Sequence, residues 1–152
     1  MRFEHVVRLP VSRSTAWPRV TDVPAVARCM PGVEALTANG DDRYRGAVRV
    51  SVGPVRLRLE GDVVVTKLDE AAGEAVLRLE AADKGIGGNV RADLSLKLVE
   101  VDGGTASDLL MTTEATLAGR IGDLGQPIVK RKADQVMAEF AKCLARSLGS
   151  AS

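Results

Sequence analysis

Apolar and polar residues alternate from the start of the chain. Phe3, His5, Val7 and Leu9 fall on one side, and Glu4, Val6 and Arg8 on the other, the period of a strand with one buried face. Pro10 ends it. Ser12 and Ser14 are both candidate N-caps for a short helix reaching about Thr21; Pro18 favours the later cap, which keeps the ring near the first turn. Asp22 followed by Val23-Pro24 repeats the signal and opens a second short helix through about Cys29. Pro31-Gly32 stops it.

From Val33 to about Leu117 the period is two. Tyr44, Val48, Val50 and Val52 oppose Arg43, Arg45 and Arg49. Across Gly53-Pro54, Val55, Leu57 and Leu59 oppose Arg56, Arg58 and Glu60, which predicts a hairpin. Ala75, Leu77 and Leu79 share a face, as do Val90 through Leu98 at every second position, and Leu109, Met111, Ala115 and Leu117. Turns are predicted at Asn39-Gly40-Asp41, at Glu70 to Gly73 and at Asp102-Gly103-Gly104. The period then becomes helical from about Pro127 to Leu148, with Val129, Ala133, Val136, Met137, Phe140, Leu144 and Leu148 on one stripe. A helix of about 22 residues is about 33 Å long, and only a curved antiparallel sheet of six to seven strands could receive it. The predicted fold is α+β: one domain over 1–149, two short helices after the first strand, a long C-terminal helix, and a short tail at 150–152.

A straight helix cannot follow a curved sheet along its whole length. The gap is either an apolar cavity or is filled by side chains. The side chains predicted to line it are Trp17, Met30, Leu57, Leu77, Leu94, Leu96, Leu109, Met111, Val136, Met137, Phe140 and Leu144. Such a lining suits a hydrophobic small molecule.

Composition narrows the chemistry. Lys and Arg number 21 against 20 Asp and Glu, leaving a net charge of +1, so the basic excess of a nucleic-acid binder is missing. Aromatics are 3%, too few for base-stacking platforms. Cys29 and Cys143 have no neighbouring thiol in sequence and are expected to be separate buried thiols in a reducing compartment. His5 is the single histidine and reads as a core or strand-edge residue rather than the centre of a triad. Asp108 and Glu114 have the outward parity of their strand, as do Glu80 and Asp93 of theirs. His5 and Tyr44 are thus the inward-facing exceptions, and no catalytic residue or metal-ligand set is assigned. Gly85, Gly87 and Gly88 lack the Lys-Ser/Thr of a phosphate loop and read as a hairpin loop needing positive φ. Charges near the start and the lack of a long apolar stretch predict neither a signal peptide nor a membrane span. The expected location is the cytoplasm, or peripheral to the inner face of the membrane.

Two basic groups stand out. In the predicted hairpin Arg49 lies opposite Arg58, beside Arg56 or Arg45, with Asp62 opposite Arg45. Like charges across a strand pair destabilise it, so Arg45, Arg49, Arg56 and Arg58 are candidates for meeting an acidic partner surface or lipid headgroups; a solvated face is the plainer reading. Lys130-Arg131-Lys132 opposes the dipole at the start of the last helix.

Pro10, Trp17, Asp22 and Cys29-Met30-Pro31-Gly32-Val33-Glu34 resemble the signature of the carbon monoxide dehydrogenase G-subunit family, a branch of the START-like (SRPBCC) helix-grip superfamily. Asp83-Lys84-Gly85-Ile86-Gly87-Gly88 and Gly119-Arg120-Ile121-Gly122-Asp123-Leu124-Gly125 before the long helix agree with it. The resemblance implies a helix-grip fold with a fillable cavity. It further implies an accessory protein, without a covalent cofactor, that binds a quinone or lipid-like molecule beside a molybdenum carbon monoxide dehydrogenase-type enzyme. Longer members carry a C-terminal extension that can contact membrane. This sequence ends at Gly149-Ser150-Ala151-Ser152, so membrane contact is expected to be transient at most. Two other readings stay open: an enzyme of the polyketide-cyclase kind, which would need a polar dyad inside the cavity, and a ligand-free assembly factor for a molybdenum hydroxylase.

Overall fold

The computed structural model describes residues 1–85 and 87–149; Ile86 of the glycine-rich block and the tail at 150–152 lie outside the described residues. The elements run β1 (Arg2–Leu9), α1 (Arg13–Val20), α2 (Val23–Ala27), β2 (Val33–Ala38), β3 (Arg43–Val52), β4 (Val55–Asp69), β5 (Glu74–Ala82), β6 (Gly88–Val101), β7 (Ala106–Gly119) and α3 (Gln126–Gly149). The seven strands form one antiparallel sheet in the order β1-β7-β6-β5-β4-β3-β2. A meander thus runs from β2 to β7, and β1 closes onto the last strand.

The predicted alternation becomes the concave face. Phe3, Val7 and Leu9 are buried while Val6 is 63% exposed, and Leu98, Leu109 and Met111 are buried on the same side. On α3, Phe140, Leu144 and Leu148 are spaced four apart and almost completely buried, so one helix stripe packs on the β1 side of the sheet. Removing a side chain the size of Phe140 from such packing costs about 3–5 kcal/mol.

α1 begins earlier than the proline suggests. Ser12, not Ser14, is the N-cap: its Oγ accepts from the Thr15 amide at 3.3 Å, and Pro18 lies inside the helix. Ala16, Trp17 and Val20 are buried by this start, and their packing outweighs the one hydrogen bond that the exposed proline cannot donate. α2 follows the reading: Asp22 caps it, accepting from the Ala25 amide, with Pro24 in the first turn.

The cysteines correct the reading of separate thiols. Cys29, just after α2, and Cys143, on α3, form a disulfide with Cα atoms 5.4 Å apart across 114 residues of sequence. Such a bridge restrains the unfolded chain, a contribution of about 2–4 kcal/mol.

At Gly61 of β4 the backbone of β5 comes unusually close. A Cβ there would overlap the Glu80 carbonyl oxygen on β5 and crowd the Ala81 Cα, so this close approach of two backbones admits only glycine. Gly61→Ala is expected to lower stability by about 1–3 kcal/mol, measured by urea unfolding. Wild-type stability in that variant would contradict this close approach.

Candidate ligand site

Curvature divides the interior into two clusters. The larger joins β1, α1 and α3 through Leu9, Trp17, Leu98, Phe140 and Leu144. The smaller, around Val52, Leu57 and Ile121, lies by the β3–β4 hairpin. Between them a row registered across five strands, Tyr44–Val63–Leu79–Ala92–Ala115, stays half-buried.

An apolar cavity of about 70 Å³ lies beside the larger cluster. The sheet supplies Leu77, Leu94, Leu96, Leu109 and Met111, and α3 supplies Phe140 and Leu144. The structure thus brings seven of the residues read from the sequence around one space. It places the others elsewhere. Trp17 is buried in the larger cluster, Met30 and Met137 pack against it, Leu57 belongs to the smaller cluster, and Val136 is half-buried on α3.

Sequence reasoning missed Val20, Val23 and Val26, which wall the cavity from the α1–α2 segment, and Val65, Leu68 and Ala75 of the sheet. A β-bulge between Val65 and Lys67 shifts the register of β4, placing Leu68 opposite the buried Ala75. Leu68 is 56% exposed, so it marks the outer rim. Every lining side chain is hydrocarbon or thioether. Such a space holds no hydrogen-bond partner for water and suits an apolar occupant.

The polar exceptions lie off this lining. His5 Nε2 is 2.9 Å from Asp134 Oδ1 of α3, and Lys130 Nζ donates to Asp134 Oδ2 at 2.9 Å. The Lys130 ammonium, and then His5, hold the Asp134 carboxyl below its ordinary value of 3.8. The imidazole is 16% exposed and fastens β1 to α3. Tyr44 makes no hydrogen bond through its hydroxyl among the described residues. Asp108, Glu114, Glu80 and Asp93 face outward and pair with Arg8, Arg2, Arg91 and Arg78.

The hairpin register places Arg49 opposite Arg58 and Arg45 opposite Asp62, as read. The inference of uncompensated like charges is corrected, however. Glu34, at the bulge of β2, accepts from Arg49 Nε at 2.9 Å and from Arg58 Nε at 2.8 Å. Arg58 also pairs with Glu60, and Arg45 with Asp62. Arg49 and then Arg58 hold the Glu34 carboxyl below the usual carboxylate range. Among the described residues Arg56 alone of the four has no ion pair. Lys130 is also compensated, four residues before Asp134. Because α3 starts at Gln126, it lies beyond the first turn, where the dipole acts.

The family profile for the G subunit of carbon monoxide dehydrogenase (CoxG) matches residues 6–149. The chain belongs to that family. None of the curated proteins matches this CoxG-family chain in sequence. Among solved structures, it is similar to a conserved protein from Geobacillus kaustophilus, with a TM-score of 0.88 at 18% identity over 99% of this chain and 96% of that one. A START superfamily protein from Mycobacterium smegmatis gives 0.68 at 14% identity, covering 99% of each chain. An aromatase/cyclase from Streptomyces sp. R1128 gives 0.68 at 13% identity, over 98% and 93%. Likeness at such identities establishes the fold, a START-like helix-grip. Among the described residues no helix is long and apolar enough to cross a membrane, and no cluster has the composition of a metal site.

The Asp134 contact titrates in acid. A carboxyl held below its ordinary value contributes stability in full above that value, and loses it as the pH falls through the lower, folded one. The melting temperature of wild type should therefore exceed that of Asp134→Asn at about pH 5, with the difference shrinking below about pH 4. A difference constant down to about pH 2 would contradict the assignment.

Proposed function

We propose that this CoxG-family protein is a non-enzymatic accessory protein that takes an apolar, lipid-like molecule, a quinone, between its sheet and α3 beside a molybdenum hydroxylase. The observation that carries the reading is the cavity of about 70 Å³ whose lining contains no side-chain nitrogen or oxygen. Family membership supports the partner enzyme. The cyclase reading needs an acid–base pair facing the ligand, and the one histidine–carboxylate contact, His5–Asp134, is not among the lining residues. With three of the hairpin arginines paired internally, any docking of an acidic partner on that face falls chiefly to Arg56.

Binding to the folded state alone at 100 times the dissociation constant stabilises by about 2.7 kcal/mol, a rise of about 5–10 °C in melting temperature for a chain of this length. Short-tailed menaquinone analogues are expected to produce that rise, and native mass spectrometry of protein from a quinone-containing host to find an apolar molecule co-purifying. Leu94→Trp, which fills the cavity, should abolish the rise. Absence of both effects would overturn the reading. If Leu94→Trp and Phe140→Ala change stability but leave support of the partner enzyme intact, the protein is an assembly factor instead.

A further inference from the structure

The cavity is bounded by three walls that are held very differently. The sheet wall is fixed by ladder hydrogen bonds along β4 to β7. The α3 wall is fixed by the buried side chains of Phe140, Leu144 and Leu148. The third wall, Val20, Val23 and Val26, comes from the end of α1 and from α2. α2 has five residues, none fully buried, and a helix that short has almost no stability of its own. What ties it down is the Asp22 cap at one end, the packing of Val26 against the larger cluster and, two residues past the other end, the Cys29–Cys143 bond. Cys143 adjoins Leu144 and lies one turn from Phe140, two residues of the opposite wall. The disulfide therefore joins the loosest wall to a fixed one.

Volume makes this consequential. An apolar cavity that admits a single benzene ring is roughly 150 Å³, about twice the space present here. A larger ligand requires a wall to move, and α2 is the part of the lining with no fully buried side chain of its own. Resting on the apolar-ligand reading above, we infer that the Cys29–Cys143 disulfide is a redox latch on the cavity. A dithiol breaks it by two-electron exchange. The dithiol's sulfurs join in a new disulfide, its two electrons and two protons pass to the cysteines, and Cys29 and Cys143 become thiols. α2 is then free to swing from α3, and the cavity opens at the rim marked by Leu68. Cys29 is 8% exposed and Cys143 is half-buried, so the attacking thiolate approaches Cys143.

Hydrogen exchange of the oxidised protein, of the protein reduced with dithiothreitol, and of Cys29→Ala/Cys143→Ala reads the latch without any ligand. Amides of residues 23–30 should exchange at least tenfold faster in the reduced and variant forms, with β6 and β7 unchanged. In parallel, a naphthoquinone with a short isoprenoid tail should associate at least tenfold faster with those two forms. Identical exchange at 23–30 in all three forms overturns the latch. So does loss of protection throughout β6 and β7, which would make the bond a staple of the whole fold. Faster exchange at 23–30 with the quinone binding none of the forms supports the latch and overturns the quinone reading alone.

Discussion

The structure depends on a geometric mismatch: α3 is straight, and the sheet it lies against is curved. The helix can bury its stripe against the β1 side of the sheet, through Phe140, Leu144 and Leu148, but cannot keep full contact across β3 to β5. The core therefore splits into two clusters, with the row from Tyr44 to Ala115 half-buried between them. Native interiors leave few voids, and this one is placed by architecture rather than by a misfit side chain. Its chemistry follows from strand parity, which turns aliphatic residues inward.

Electrostatics act on the outside. The convex face carries cross-strand pairs such as Arg78–Asp93 and Arg45–Asp62, each individually weak but together consistent with the register. No such pair lines the cavity. At the helix–sheet junction charge enters through His5–Asp134–Lys130, and there it fastens β1 to α3 instead of facing an apolar ligand.

Much of this was legible in the sequence because strand parity is local. The inward set of β5 to β7, the Arg49–Arg58 and Arg45–Asp62 register and the Asp102 turn all follow from counting residues. What escaped was non-local or broke the count. The bulge in β4 reversed parity and put Leu68 on the rim. The bulge in β2 let Glu34 neutralise Arg49 and Arg58, which periodicity alone left as a bare pair. Separation by 114 residues hid the Cys29–Cys143 bond. The valines of α1 and α2 were hidden as well, since helices so short show no periodicity of their own.

The central claim is that an apolar molecule occupies the space between the sheet, α2 and α3. Met111 lines that space, whereas Met30 and Met137 pack against the core outside it and Met1 is exposed. Methyl-labelled methionine spectra during titration with a short-tailed naphthoquinone therefore test it residue by residue. The account predicts a saturating shift at Met111, smaller changes at Met30 and Met137 and none at Met1. Saturable binding that leaves the Met111 methyl unmoved would contradict it.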